Sequence, residues 1–240
     1  MKKFFAILCC VALMLGLCAC GGAAPAETTE AAESYAGLRA AFVGDSITNG
    51  AKLNPGEPRY WEILKNDLGF SEVVGLGVNG SCYSTNNDRG HDYSPLVDRY
   101  QQVPGTDLIF IFMGTNDFSH ETPLGTTADN TDVSLCGAMN LCIDAIQQNH
   151  PESQIILLTP IVRYDLGQND IGLKFEEYVE TVKTVAQAQQ LPVIDMYSLT
   201  KDSLPEGLFS DKVHPDKYGH QILANAIKTW LEENKDTVLK

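Results

Sequence analysis

The sequence predicts a three-layer, doubly wound α/β fold: a five-stranded parallel sheet in the flavodoxin-like order 2-1-3-4-5, with helices on both faces. Three observations carry this. Short apolar runs recur five times, at residues 39–43, 73–76, 108–112, 155–158 and 193–194. Helical hydrophobic spacing fills the stretches between them. Polar, glycine-rich segments stand directly after the first three runs. Strand and helix patterns that alternate in this way call for parallel strands joined by right-handed crossovers, which place helices on both sides of the sheet.

Each element has its own signal. The runs Leu108-Ile109-Phe110-Ile111-Phe112 and Ile155-Ile156-Leu157-Leu158 show no polar alternation, as expected of strands buried on both faces. Trp61, Ile63, Leu64 and Leu68 predict a helix after the first strand, and residues 96–100 a weaker one. Leu135, Met139, Ile143 and Ile146 recur at intervals of three or four, and Asn149-His150-Pro151 ends that helix. Phe175, Tyr178, Val179, Val182 and Val185 repeat the pattern, with Asn169-Asp170 as the expected cap. The last helix is expected to start near Pro215 and to run through Ile222, Leu223, Ile227, Trp230 and Leu231.

The formal charge is −14 at pH 7, and no basic stripe is present. Such a field repels nucleic acid and anionic lipid surfaces, so neither is an expected partner. Cys82, Cys136 and Cys142 are the cysteines beyond residue 20. An odd number argues against a complete disulfide framework. Cys136 and Cys142, six apart on one helix, point to different faces and are read as buried free thiols.

The first residues read as a targeting segment. Lys2 and Lys3 precede an uncharged apolar stretch that is too short for a membrane span of roughly 20 residues. The stretch ends in Leu17-Cys18-Ala19-Cys20-Gly21, which resembles the lipobox of bacterial lipoproteins. That resemblance implies a diacylglycerol on Cys20, residues 1–19 as a signal peptide and an extracytoplasmic, lipid-anchored protein. Loss of Lys2 and Lys3 would take the charge from −14 to −16. Residues 20–36, rich in Ala, Glu and Thr, are expected to form a disordered tether. Residues 37–240 suit one folded domain.

In a parallel sheet all carboxyl ends share one edge, where ligands bind. Gly44-Asp45-Ser46-Ile47-Thr48, Gly77-Val78-Asn79-Gly80-Ser81 and Gly114-Thr115-Asn116-Asp117 follow strands one to three, and Asp211-Lys212-Val213-His214-Pro215 follows strand five. These segments should therefore meet. A serine hydroxyl needs a base to become nucleophilic, and imidazole is the natural one near neutral pH. Ser46, His214 and Asp211 thus form the candidate catalytic set, with Asp211 placed to orient the ring. The Asn116 amide and the backbone N–H groups of Gly80 and Ser46 are candidate oxyanion donors. Asp45 is read as a hydrogen-bonding residue of the loop. Tyr83, Arg163 and Tyr164 are pocket candidates. Arg89, His91 and Asp92 read as surface. His220, six residues beyond His214, does not share a helical face with it, so neither a metal nor any other cofactor is expected.

GDSIT resembles the first block of the GDSL, or SGNH, hydrolases. Gly80 in GLGVNGS, Gly114-Thr115-Asn116-Asp117 and Asp211-xx-His214-Pro215 resemble their second, third and fifth blocks, in family order. Gly75 stands where many members have Asn, and Ile47 where the name-giving motif has Leu. The resemblance implies the SGNH hydrolase fold, Ser46 as nucleophile and hole donor, Gly80 and Asn116 as further donors, and Asp211 with His214 completing the triad. The G-x-S-x-G elbow of α/β-hydrolases is absent, because Thr48 occupies its last position. The expected activity is hydrolysis of a carboxylic ester through an acyl-enzyme, with a small ester or O-acetylated extracellular carbohydrate as substrate. A lysophospholipase or short-chain lipase and an acyltransferase use the same residues. A non-catalytic carbohydrate-binding lipoprotein is the reading from another class.

Overall fold

A computed structural model describes residues 34–85, 94–165 and 167–239. The lipobox Cys20, the signal segment and Arg89, His91 and Asp92 lie outside the described residues. In chain order the elements are β1 (Arg39–Gly44), α1 (Ser46–Asn49), α2 (Tyr60–Leu68), β2 (Glu72–Gly77), α3 (Leu96–Arg99), β3 (Leu108–Phe112), α4 (Thr115–Ser119), α5 (Leu135–Asn149), β4 (Gln154–Leu158), α6 (Phe175–Ala188), β5 (Val193–Ile194), α7 (Met196–Thr200), α8 (Lys217–Glu233) and α9 (Lys235–Val238). The strands form one parallel sheet in the expected flavodoxin-like order β2-β1-β3-β4-β5.

Strand periodicity splits the core in two. Ala40, Phe42, Phe110 and Ile156 face α2 and α8, where Leu64, Leu68, Leu223 and Ile227 cover them. Ala41, Val43, Ile109 and Ile155 face the other way, onto Met139 and Ile143 of α5 and Val179 and Val182 of α6. Successive residues of a strand point to opposite faces, so a run that must fill two cores has no room for a polar alternate. The Phe42 and Phe110 rings stack across β1 and β3 with centroids 4.8 Å apart.

Caps decide where the helices begin. Ser134 Oγ accepts from Gly137 N at 3.3 Å to open α5. The last helix starts two residues later than Pro215, at Lys217. Asp216 caps it by accepting from Tyr218 N and Gly219 N, each at 2.9 Å. Pro215 instead pairs with Phe209 in an isolated bridge. Asn169-Asp170 does not cap α6. That helix begins at Phe175, where Glu177 Oε2 accepts from Lys174 N at 2.7 Å. Asn169 is held elsewhere: its Nδ2 donates to Phe118 O and Tyr178 Oη, and its Oδ1 accepts from Leu173 N.

The folded unit begins before Gly37. Tyr35, placed by composition in the tether, is fully buried, and its hydroxyl donates to Leu231 O at 2.9 Å. Cys82, Cys136 and Cys142 are buried free thiols, as the odd number and the helical spacing imply.

Candidate active site

The ends of the first three strands are level in the sheet. Gly44 is in register with Gly77 on one side and with Phe112 on the other. The segments that follow therefore leave a common edge. Ser46 opens α1 immediately beyond β1 and is 6% exposed. Asp45 caps this turn, accepting from Ile47 N at 2.9 Å, so its role is internal to the loop, as the sequence suggests. The turn is tight enough to require Gly44, because a Cβ there would collide with Thr48 Oγ1. Thr48 Oγ1 lies 2.9 Å from Tyr60 Oη, and Thr48 O accepts from Trp61 Nε1, which pins α1 to α2.

His214 reaches the same point from the other end of the chain. Its Nε2 lies 2.8 Å from Ser46 Oγ. Its Nδ1 lies 2.9 Å from both carboxylate oxygens of Asp211. A carboxylate only accepts, so Nδ1 carries the proton and Nε2 is the acceptor for the serine hydroxyl. Partial burial works against the ionised form of Asp211. Hydrogen bonds from the His214 ring and backbone N–H, and from Val213 N, outweigh it and hold the carboxyl below its ordinary range. Lys52 Nζ stands 3.8 Å from Asp211 Oδ2. The loop is closed and braced: Ser210 N donates to His214 O across its ends, and Tyr164 N donates to Lys212 O at its middle.

The Gly80 loop and α4 complete the edge. Gly80 has φ +76°, a conformation that favours glycine. Val78 N donates to Gly44 O at 3.1 Å, tying this loop to the serine segment. Asn116 Nδ2 donates to Ser81 O at 3.1 Å, which leaves its second amide hydrogen for another acceptor. Ser46, His214, Asp211, Asn116 and the Gly80 loop are thus one connected set.

The pocket candidates separate. Tyr83 is fully buried and lines no surface. Tyr164 donates its hydroxyl to Leu204 O at 2.8 Å. Arg163 does line an open pocket of about 390 Å³, together with Phe118, Ser119, Asp165 and Asn169. Its guanidinium is paired with both oxygens of Asp165 at 2.7 Å and also donates to Thr115 O and Ser119 Oγ, so it braces α4.

Three further residues hold the site, and sequence reasoning assigned none of them this role. Asp117, fully buried, accepts from Tyr83 N, Ser84 N and Ser84 Oγ, and so ties α4 to the chain beyond Gly80. Burial pushes its carboxyl up to about 6 against those bonds. Burial likewise pushes Asp45 up to about 7, against the pull of the Ile47 N–H. Arg99, 4% exposed, donates to the strand ends beneath the site. His220 is buried, stacks on Tyr60 at 6.1 Å, and accepts from Tyr60 N through Nδ1 at 3.2 Å. Burial lowers its pKa to about 4. The motif blocks offered a signal for Asp117 alone, in Gly114-Thr115-Asn116-Asp117. Arg99 and His220 lie among ordinary helical residues.

Comparison with known proteins gives the family and the fold. Residues 42–222 match the GDSL-like Lipase/Acylhydrolase family. Among solved structures, a protein from Lactobacillus plantarum is 24% identical with a TM-score of 0.70, over 82% of this chain and 98% of that one. An acetylxylan esterase from Geobacillus stearothermophilus is 24% identical with a TM-score of 0.56, over 82% of this chain and 94% of that one. A member of the lipolytic protein G-D-S-L family from Veillonella parvula is 22% identical with a TM-score of 0.53, over 78% of this chain and 94% of that one. At these identities the likeness is one of fold. No curated protein matches. The family match spans Ser46, the Gly80 loop, Asn116 and the Asp211–His214 loop, and the chain belongs to the GDSL-like lipase/acylhydrolase family.

Proposed function

We propose that the protein is a serine esterase, anchored outside the cytoplasm by lipid on Cys20, that removes acyl groups from carbohydrate through an acyl-enzyme. One observation carries the catalytic part: Ser46 Oγ, His214 Nε2 and Asp211 form an unbroken hydrogen-bonded chain with steps of 2.8 and 2.9 Å. Ser46 Oγ attacks the ester carbonyl as its proton passes to His214 Nε2. The tetrahedral oxyanion is held by the backbone N–H groups of Ser46 and Gly80 and by Asn116 Nδ2. His214 then gives its proton to the departing alcohol, and the C–O bond to that alcohol breaks. A water, deprotonated by the same nitrogen, attacks the acyl-enzyme. The acid leaves and Ser46 regains its hydrogen. Asp211, kept ionised by its hydrogen bonds, steadies the imidazolium in both halves of the cycle.

Three points favour an acylated carbohydrate over a membrane lipid. The pocket beside α4, joined to the Asp211 loop where Tyr164 N donates to Lys212 O, is walled by Phe118 and by the polar Ser119, Glu121, Arg163, Asp165, Gln168, Asn169 and Asp170, a lining that suits hydroxyl groups better than an alkyl chain. The acetylxylan esterase shares the fold. The described chain begins at the amino edge of the sheet, with Tyr35 against Leu231, and the Ser46 edge lies opposite. The test is turnover of p-nitrophenyl acetate and of acetylated xylo-oligosaccharides, with a fluorophosphonate probe and a lysophospholipid in parallel. Acetate release and probe adduct on Ser46 are expected. No turnover and no labelling would end the esterase reading, and turnover of the lysophospholipid alone would replace the substrate.

A further inference from the structure

One buried guanidinium is bonded to the segments that carry Ser46 and Gly80, and through Ser81 it is one step from the Asn116 amide. Arg99 closes the short helix α3, and Nη2 donates to Gly44 O at 2.9 Å and to Ser81 Oγ at 3.1 Å. Nη1 donates to Leu76 O at 3.1 Å, and Nε to Ser94 O at 3.0 Å. Nη2 also lies 3.9 Å from Met113 Sδ. Gly44 precedes Ser46 by two residues. Leu76 is at the end of β2, on the path to Gly80. Ser81 carries the carbonyl that holds the Asn116 amide. Met113 joins β3 to Gly114 and α4.

We propose that Arg99 is a positioning residue for the esterase reaction, setting the spacing of the three oxyanion donors by fastening the carboxyl ends of β1 and β2, and Ser81 whose carbonyl holds the Asn116 amide, to one rigid fork. The proposal rests on the serine-esterase reading above. Its physical basis is the shape and charge of the guanidinium. A carbonyl oxygen has two lone pairs, so Gly44 O takes Val78 N and still accepts from Arg99. A planar group with five fixed N–H vectors bonds several carbonyls at once while holding them at set distances, which a single ammonium on a flexible stem does not do. The buried cation is offset by these dipoles and by Asp45. Donors aimed at an oxyanion act through their placement, and they lose most of their effect when the loops carrying them drift.

A plain packing strut would alter the folded fraction and leave each folded molecule as active as before. The test therefore normalises turnover of p-nitrophenyl acetate to active sites titrated with the fluorophosphonate. For Arg99→Lys, kcat per titrated site is expected to fall about 10- to 100-fold with KM within about 2-fold, the size of a misplacement near 1 Å. For Arg99→Gly, millimolar guanidinium is expected to restore part of kcat. A kcat per site within about 2-fold of wild type in both variants would overturn the proposal. Should neither variant fold, Ser81→Ala decides. It removes one acceptor of the fork together with the Ser81 Oγ bond to Ser94 O, and kcat per titrated site is expected to drop several-fold, whereas unchanged kcat per site would overturn the idea. Wild-type protein without turnover would instead sink the esterase reading, so the two failures stay separate.

Discussion

His214 Nε2 and Ser46 Oγ stand 2.8 Å apart across 168 residues of sequence. The contact joins the loop after β1 to the loop before α8, and nothing in either segment alone could produce it. Replacing either partner should abolish the proposed chemistry without unfolding the protein. Ser46→Ala and His214→Gln are each expected to lower kcat/KM by about 10⁴-fold or more, because the two act as one unit. Circular dichroism and Tm should stay close to wild type. A Ser46→Ala protein that still hydrolyses p-nitrophenyl acetate at a tenth of the wild-type rate would remove Ser46 from the mechanism.

Asn116 tests the oxyanion site separately from the nucleophile. Its Nδ2 gives one hydrogen to Ser81 O and has one left for substrate. Asn116→Ala should cut kcat by about 10²–10³-fold and change KM little, since the lost bond is made to the charged intermediate. A rise in KM at constant kcat would show that the amide binds the ground state instead.

Against partial burial, hydrogen bonds from His214 and Val213 hold Asp211 ionised below the ordinary carboxylate range, so the carboxylate is present to orient the ring. Asp211→Asn should cost about 10²–10⁴-fold in kcat by loosening the ring and favouring the wrong tautomer.

Buried ionisable groups around the site predict opposed pH effects on stability. His220 has its folded pKa lowered from 6.5 to about 4, so the unfolded chain binds the proton more readily. Its burial in the neutral form costs nothing above pH 6.5 and is penalised as pH falls from 6.5 towards 4, by up to about 3 kcal/mol. Asp45 has its folded pKa raised from 3.8 to about 7, so its effect is reversed: stability present below pH 3.8 is lost as pH rises to 7. His220→Gln should flatten the loss of stability on acidification between those limits. Asp45→Asn should flatten the loss on the way up to pH 7. Urea titrations at intervals of one pH unit would show this, and two variants that track the wild-type curve in parallel would contradict it.

The anchor has its own test. Cys20→Ser should stop incorporation of radiolabelled fatty acid in a bacterial host and move the protein from the membrane pellet to the soluble fraction. Equal pelleting of wild type and variant would count against lipidation.

Local pattern determined a good deal of this molecule. Unbroken apolar runs such as 108–112 are legible as buried parallel strands because both faces must be apolar, and the spacing of Leu135, Met139, Ile143 and Ile146 is legible as a helix because they share one stripe. Handedness and short connections narrow the sheet to a few doubly wound orders, and the packed structure has the expected one, β2-β1-β3-β4-β5. Ser46, Gly80 and Asn116 were legible because each sits in a motif just after a strand, and Asp211 and His214 because theirs precedes the helix at Lys217. The rest depended on which distant segments came to lie together. Tyr35 looks like tether until Leu231 lies beside it, and Asn169-Asp170 looks like a cap until Phe118 and Tyr178 claim the amide. Arg99, Asp117 and His220 occupy positions whose partners come from other elements of the fold. Hydrophobic period is a property of neighbours along the chain. A hydrogen bond between loops has no period, and only the packed sheet, by levelling its strand ends, decided which donors and acceptors would meet.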